Sequence, residues 1–250
     1  MFRGAFAEGK LLKTAIDAIS KLITEGTFSV DENGMKLVAL DPAKVAMIDL
    51  NVLPTGFIEY HVDSPIKFTV DIDYFSKVLK RAKARTEIEM IVGDDLSRLE
   101  VILKNGYKRR FFIPLIQPSE EEEAPQPSGL EFKGRLEIEA GFVKEAIKDA
   151  KMISDAVKFI ADPDIFKIVA KSEAGEVSAE VSKSDPALLE IDVPEHMEAT
   201  YTIEYLEKII KAEGIADTVS IEFANNYPVR ITYKSLDRLK LAFILAPRLE

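Results

Sequence analysis
The chain has 250 residues, is 47% hydrophobic and 30% charged, and carries a formal net charge of −10. That composition supports packed cores, and no apolar run approaches the ~18 residues of a membrane helix. The absence of cysteine excludes disulfides, thiolate chemistry and cysteine-ligated zinc. The start, Met1-Phe2-Arg3-Gly4-Ala5-Phe6, lacks signal-peptide organisation, which points to an intracellular chain.

In chain order, the first helical period runs over Gly9–Thr24. There Leu11, Leu12, Ala15, Ile16, Ile19, Leu22 and Ile23 make one apolar face, with Lys10, Lys13, Asp17 and Lys21 opposite. A turn at Glu32-Asn33-Gly34 follows. The second helix is predicted over Asp73–Arg85, with Phe75, Val78, Leu79 and Ala82 inward and Lys77, Lys80, Arg81 and Lys83 among its basic residues. Asp71 or Asp73 is placed to cap it. Strands are expected at Ile88–Val92, Arg98–Lys104 and Arg110–Ile116, divided by Gly93-Asp94-Asp95 and Asn105-Gly106. Residues 117–129 hold three prolines and the four glutamates Glu120–Glu123, a composition that suits an exposed, semi-extended connector. Beyond it, a strand at Leu136–Glu139 leads to a third helix over Gly141–Ile153. Phe142, Val143, Ala146, Ile147 and Ala150 are its apolar face, and Lys144, Lys148 and Lys151 recur at i, i+4 and i+7. Further strands are predicted at Phe166–Lys171, Glu176–Lys183 and Leu188–Val193. The fourth helix, Ile203–Glu213, buries Tyr205, Leu206, Ile209 and Ile210 and exposes Lys208 and Lys211. Strands at Val219–Phe223, Val229–Tyr233 and Lys240–Ala246 complete the order.

One offset organises this list. Residues 13–39 align without a gap on 144–170, a shift of 131 that pairs Ile16 with Ile147, Phe28 with Phe159, Tyr74 with Tyr205, Lys77 with Lys208 and Phe112 with Phe243. A single offset sustained over roughly a hundred residues marks a duplicated domain. The expected organisation is one domain at 1–116, a connector at 117–129 and a second domain at 130–250, each α+β and rich in strands.

The net charge alone argues against nucleic acid, but its distribution reverses that reading. The four helical segments carry 13 basic and 7 acidic residues, leaving 20 basic and 36 acidic elsewhere. One lysine-bearing helix is an ordinary solvated face. Four in matching repeat positions point to a polyanion, though the fourth alone is acidic through Glu204, Glu207 and Glu213. Lysines act as mobile point charges that suit phosphates and do not read bases. No aromatics interleave with them, so duplex backbone fits better than stacked single strands.

Three local segments carry a resemblance: Leu37-Val38-Ala39-Leu40-Asp41-Pro42-Ala43-Lys44-Val45, Asn226-Tyr227-Pro228-Val229 and the C-terminal Phe243-Ile244-Leu245-Ala246-Pro247-Arg248. With the repeat and the acidic connector, they resemble the PCNA family of DNA sliding clamps over essentially the whole chain. The resemblance implies two clamp domains, each with two helices on one face of antiparallel sheet, assembled as a trimeric ring around duplex DNA. It implies a processivity factor for replication and repair with no catalysis, cofactor or metal. Its partners would be a polymerase, a clamp loader and other enzymes bound through short peptide motifs, without a membrane. The DNA-facing residues would be the helix cations named above. The peptide pocket would use Leu40, Val45, Pro228, Ile244, Ala246 and Pro247, with Lys44 at its rim. Pro125 and Pro127 replace a common aliphatic pair, and Ile244 a common aromatic. Subunits would pair Tyr107–Ile113, including Lys108, Arg109, Arg110 and Phe111, with Gly175–Lys183, including Glu176, Val177, Ala179 and Glu180. Few amides and many charges hint at a thermophile, hence an archaeal cytoplasm, or a nucleus if eukaryotic.

Other readings remain open at this point: a subunit that assembles only with paralogous chains, a damage-checkpoint clamp or monomeric viral factor, or a nuclease or transferase with an acidic site. Asp71, Asp73 and Asp94 are the acidic candidates for the last, against helix capping and a turn. His61 and His196 sit in no metal-binding motif, and no Walker loop or GxGxxG is present.

Overall fold
A computed structural model describes residues 1–117 and 129–248; the connector motif at 118–128 lies outside them. The described chain forms β1 (Phe2–Phe6), α1 (Lys10–Ile19), β2 (Glu25–Asp31), β3 (Gly34–Leu40), β4 (Ala46–Val52), β5 (Glu59–Val62), β6 (Ile66–Asp71), α2 (Ile72–Leu79), β7 (Glu87–Val92), β8 (Arg98–Lys104) and β9 (Lys108–Pro114). It continues with β10 (Gly134–Glu139), α3 (Ala140–Lys151), β11 (Ala156–Asp162), β12 (Ile165–Ser172), β13 (Gly175–Ser182), β14 (Leu188–Asp192), β15 (Met197–Thr202), α4 (Ile203–Ile209), β16 (Thr218–Phe223), β17 (Val229–Ser235) and β18 (Leu239–Leu245).

Contacts group the chain into two units. The first holds Met1–Pro42, residues 48–117 and Ser235–Leu241; the second holds Ala43–Met47, residues 129–234 and 242–248. In the first, strands run in the order β5-β1-β7-β8-β9 and β4-β3-β2-β6; in the second, β14-β10-β16-β17-β18 and β13-β12-β11-β15. The two orders are the same once the 131-residue offset is applied. β2 and β11, α2 and α4 at their first residues, β8 and β17, and β9 and β18 all keep it.

The strands obey the alternation that half-buried sheets impose. In β4 every second residue is buried, giving Ala46, Ile48, Leu50 and Val52 to one face. Each unit fills its core with aromatics. In the first, Phe28 stacks on Phe68 at 5.5 Å and meets Phe75 edge-on at 6.3 Å. In the second, Phe159, the offset partner of Phe28, meets Phe166 at 5.5 Å and Tyr201 at 5.2 Å. The β2–β3 turn follows its sequence signal: Asn33 N–H donates to Asp31 Oδ1 at 2.7 Å, and Gly34 takes φ +130°. A Cβ at Gly34 would lie 2.2 Å from the Val52 carbonyl oxygen, so only glycine fits there.

All four helices are shorter than their periodicity suggested. Arg81 N–H bonds Val78 C=O and Ala82 N–H bonds Leu79 C=O, and Lys21 to Ala18, Leu22 to Ile19 and Met152 to Asp149 repeat the pattern. These three-residue closures satisfy terminal carbonyls by tightening the last turn. After α4, residues Ile210–Ile215 form a 3-10 turn. The apolar period continues because buried Leu22, Ile23 and Ala82 still face the core from these turns. The strand expected at Arg110–Ile116 is shifted to Lys108–Pro114, and the residues around it join a single bridge, Thr69 to Ile116.

Candidate nucleic-acid interface and partner surfaces
In the first unit, Leu12, Ala15, Ile16, Ala18 and Ile19 bury one side of α1, which packs against α2. Asp71 caps α2 by accepting Tyr74 N–H at 2.7 Å, so this candidate for an acidic site holds a helix end. Asp17 gathers cations: Lys80 Nζ stands 2.6 Å from its Oδ1 and Lys21 Nζ 3.6 Å. Burial pushes this carboxyl up, but the Lys80 hydrogen bond and the charges of Lys80 and Lys21 outweigh it and hold it below its usual range. Lys13 Nζ donates to Ala82 C=O at 3.2 Å. Lys10, Lys77, Arg81 and Lys83 are exposed, and among the described residues their side chains meet no carboxylate. Lys80, Arg81 and Lys83 were expected on the helix but lie on the turn beyond it.

The second unit places its cations differently. Lys144 Nζ lies 2.5 Å from Glu213 Oε1, and Lys151 Nζ 2.8 Å from Glu207. Lys148 pairs with Glu145 at 2.8 Å and Lys208 with Glu204 at 2.9 Å. The Glu213 hydrogen bond raises the Lys144 ammonium above its ordinary range, while the lysine bonds hold Glu145 and Glu204 below theirs. Lys211 alone of this set is exposed without a carboxylate among the described residues. The 4-residue spacing of Glu204 and Lys208 was visible in sequence. The Lys144–Glu213 and Lys151–Glu207 pairs, 69 and 56 residues apart, were not.

The segments assigned to subunit contact both lie at sheet edges. β9 ends the order β5-β1-β7-β8-β9 and β13 ends β13-β12-β11-β15. The opposite charges of the two edges, Arg109 and Arg110 on one and Glu176 and Glu180 on the other, are largely used within the chain. Glu176 pairs with Lys171 at 3.1 Å and Glu180 with Lys167 at 3.2 Å, both across the β12–β13 ladder. Arg110 meets Glu100 at 2.8 Å, and Arg109 donates to Arg81 C=O at 3.0 Å. Lys108 is exposed, and Phe111, Val177 and Ala179 are half-buried. Phe112, which the repeat pairs with buried Phe243, is itself 46% exposed beneath the Arg98 guanidinium at 4.5 Å. With those charges engaged, the two edges leave apolar surface and Lys108 exposed.

Of the pocket residues, Ala246 N–H donates to Val45 C=O at 2.9 Å within the second unit. Val45, Pro228, Ala246 and Pro247 are half-buried, and Lys44 is exposed with φ +58°. Ile244 departs from expectation: it is only 6% exposed in β18, so it packs into the sheet and offers little surface. In the first unit, Leu40 ends β3 at 38% exposure. An aromatic missed in sequence stands nearby in the second unit. Phe132 meets Tyr227 edge-on at 5.9 Å and lies under the Arg230 guanidinium at 4.4 Å, while Tyr227 C=O accepts the Tyr201 hydroxyl at 2.8 Å.

Among the described residues no group of three or more His, Cys, Asp or Glu could hold a metal ion. His61 pairs with Asp63 at 2.7 Å, both exposed, and exposed His196 pairs with half-buried Asp162 at 2.9 Å. Asp94 holds the amino group of Met1 at 2.5 Å. No described helix is long and apolar enough to cross a membrane.

Two family models match in tandem: the N-terminal domain of proliferating cell nuclear antigen over residues 1–113, and its C-terminal domain over residues 128–248. A protein of Pyrococcus abyssi (strain GE5 / Orsay) named DNA polymerase sliding clamp is 38% identical over 250 residues, covering 100% of this chain and 98% of that one. Among solved structures, PCNA from Thermococcus kodakaraensis superposes with a TM-score of 0.91 at 30% identity, covering 99% of this chain and 100% of the other. A. fulgidus PCNA, solved with the C-terminal region of FEN-1 bound, gives a TM-score of 0.90 at 31% identity, with 100% of this chain and 99% of the other covered. With both halves matched and the relatives covered end to end, the chain belongs to the proliferating cell nuclear antigen family.

Proposed function
We propose that this chain is a DNA polymerase sliding clamp. It is a ring subunit that encircles duplex DNA without reading its sequence and tethers replication and repair enzymes. The observation that carries this is the match of both repeats to the clamp family, joined to cation-bearing helices in each unit. Phosphate contacts made by Lys10, Lys77, Arg81 and their neighbours carry no base information, so a ring held by them can slide. Three copies close the ring by pairing the β9 edge of one with the β13 edge of the next, unpaired edges being templates for such addition. Ion pairs across that seam contribute little, because Glu176, Glu180 and Arg110 are already engaged. Clients dock short peptides on the second unit's surface at Lys44, Val45, Pro228, Ala246 and Pro247; that the A. fulgidus relative was solved with the C-terminal region of FEN-1 bound supports client docking as such. The chain is a non-catalytic protein organised as 1–116, 117–129 and 130–250, and works wherever the cell keeps its DNA.

Absolute mass by light scattering across a dilution series tests the ring. Three chains of 27.9 kDa give about 84 kDa. A monomer at micromolar concentration would refute self-closure.

A further inference from the structure
We propose that the two repeats divide the work of holding duplex DNA. The first supplies the phosphate contacts, and the second is held neutral by its own carboxylates, with Glu207 and Glu213 acting as residues that tune the grip. The inference rests on the reading of these helices as a duplex-facing surface.

The charge difference is large. Stretches 10–23 and 72–85 of the first unit hold eight Lys and Arg against Asp17 and Asp73. Stretches 140–153 and 203–215 of the second hold five lysines against five carboxylates. Geometry sharpens the contrast. Among the described residues, Asp17 is the single carboxylate that takes lysines of these stretches in the first unit, whereas four of the five lysines in the second stand within 2.5–2.9 Å of a glutamate. The two pairs that link α3 to the α4 segment matter most. Lys144–Glu213 and Lys151–Glu207 join separate elements, and their glutamates are about two-thirds shielded from solvent.

A lysine already matched by a carboxylate neutralises little of a phosphate's charge, so few of the counterions condensed on the duplex are released, and it brings a negative charge toward the phosphate it would approach. Affinity for duplex follows the number of phosphates neutralised, with a salt slope near −0.9 for each. Cations of the first unit therefore set the slope, and those of the second add little while their glutamates stay charged. Replacing Glu207 and Glu213 with glutamine keeps shape and hydrogen bonding but frees two lysines.

The test is fluorescence anisotropy of a labelled duplex oligonucleotide with the full-length chain, titrated between about 50 and 200 mM NaCl. Lys77→Ala with Arg81→Ala is expected to weaken binding and flatten the slope by about one for each cation in contact. Lys144→Ala with Lys151→Ala is expected to shift it by less than half as much. Glu207→Gln with Glu213→Gln is expected to tighten binding several-fold and steepen the slope. Light scattering and circular dichroism on each variant confirm that assembly and fold are kept. An equal effect of the two alanine pairs would overturn the division of labour, as would an unchanged slope in the glutamine variant. If no pair altered binding, the duplex-facing reading itself would fall with it.

Discussion

Replacing Glu89 with glutamine tests how the first unit tolerates charge inside its sheet. Its side chain is 4% exposed and takes Arg3 Nε at 2.6 Å and Lys104 Nζ at 2.7 Å. Burial pushes the carboxyl up, yet the Lys104 and Arg3 hydrogen bonds, with their charges, hold it below the ordinary glutamate range of about 4.5. A charge-assisted hydrogen bond contributes about 1.5–3 kcal/mol. The partners are not stranded by the change, because Lys104 keeps Glu87 at 2.6 Å and Arg3 reaches Glu59 at 3.5 Å. The desolvation cost of Glu89 disappears at the same time. The expected net loss at pH 7 is therefore only about 1–2 kcal/mol. Lys104→Met should cost more, about 3 kcal/mol, since it leaves a buried carboxylate with one partner. The pH dependence gives an independent sign. A carboxyl whose folded pKa is depressed stabilises the fold fully above its unfolded value and loses that contribution as pH falls through the folded one. The unsubstituted chain should thus lose more stability on acidification below about 4.5 than Glu89→Gln does. Urea unfolding at neutral and acid pH, with hydrogen exchange of the β7 amides to localise the effect, reads both quantities. Equal stability at pH 7 together with the same acid loss in both proteins would refute the reasoning.

Three more outcomes are expected. Phe112→Asp should leave the fold of the chain within about 0.5 kcal/mol, as a half-exposed site allows, but drop the light-scattering mass to that of a monomer; an intact trimer would remove β9 from the seam. Ala246→Glu with Pro228→Glu should weaken a fluorescent client peptide at least tenfold while the ring mass is unchanged; unaltered affinity would move the docking surface elsewhere. Gly34→Val, which meets the Val52 carbonyl and needs φ +130°, should cost about 3 kcal/mol or more in thermal unfolding, and a near-neutral result would mean the β2–β3 turn rearranges freely.

The sequence by itself determined the duplication, because both copies bury the same periodic positions and 131 residues separate each pair. It determined the cation-bearing helices for the same reason: apolar period and opposite charge are local properties of a segment. It also carried the family, through motifs spread from Leu37 to Arg248. Helix ends were less legible, since Arg81 and Ala82 continue the period of α2 while their N–H groups have already switched to the tighter three-residue closure. Only the tertiary structure decided which lysines keep their charge available. Lys77 and Lys151 look alike in sequence, yet Lys151 meets Glu207 across two elements, a distance of 56 residues along the chain. It decided likewise that Glu176 and Glu180 face lysines of β12 and that Ile244 packs inward. An ion pair or a buried face depends on which elements fold against each other, and that information belongs to no single segment.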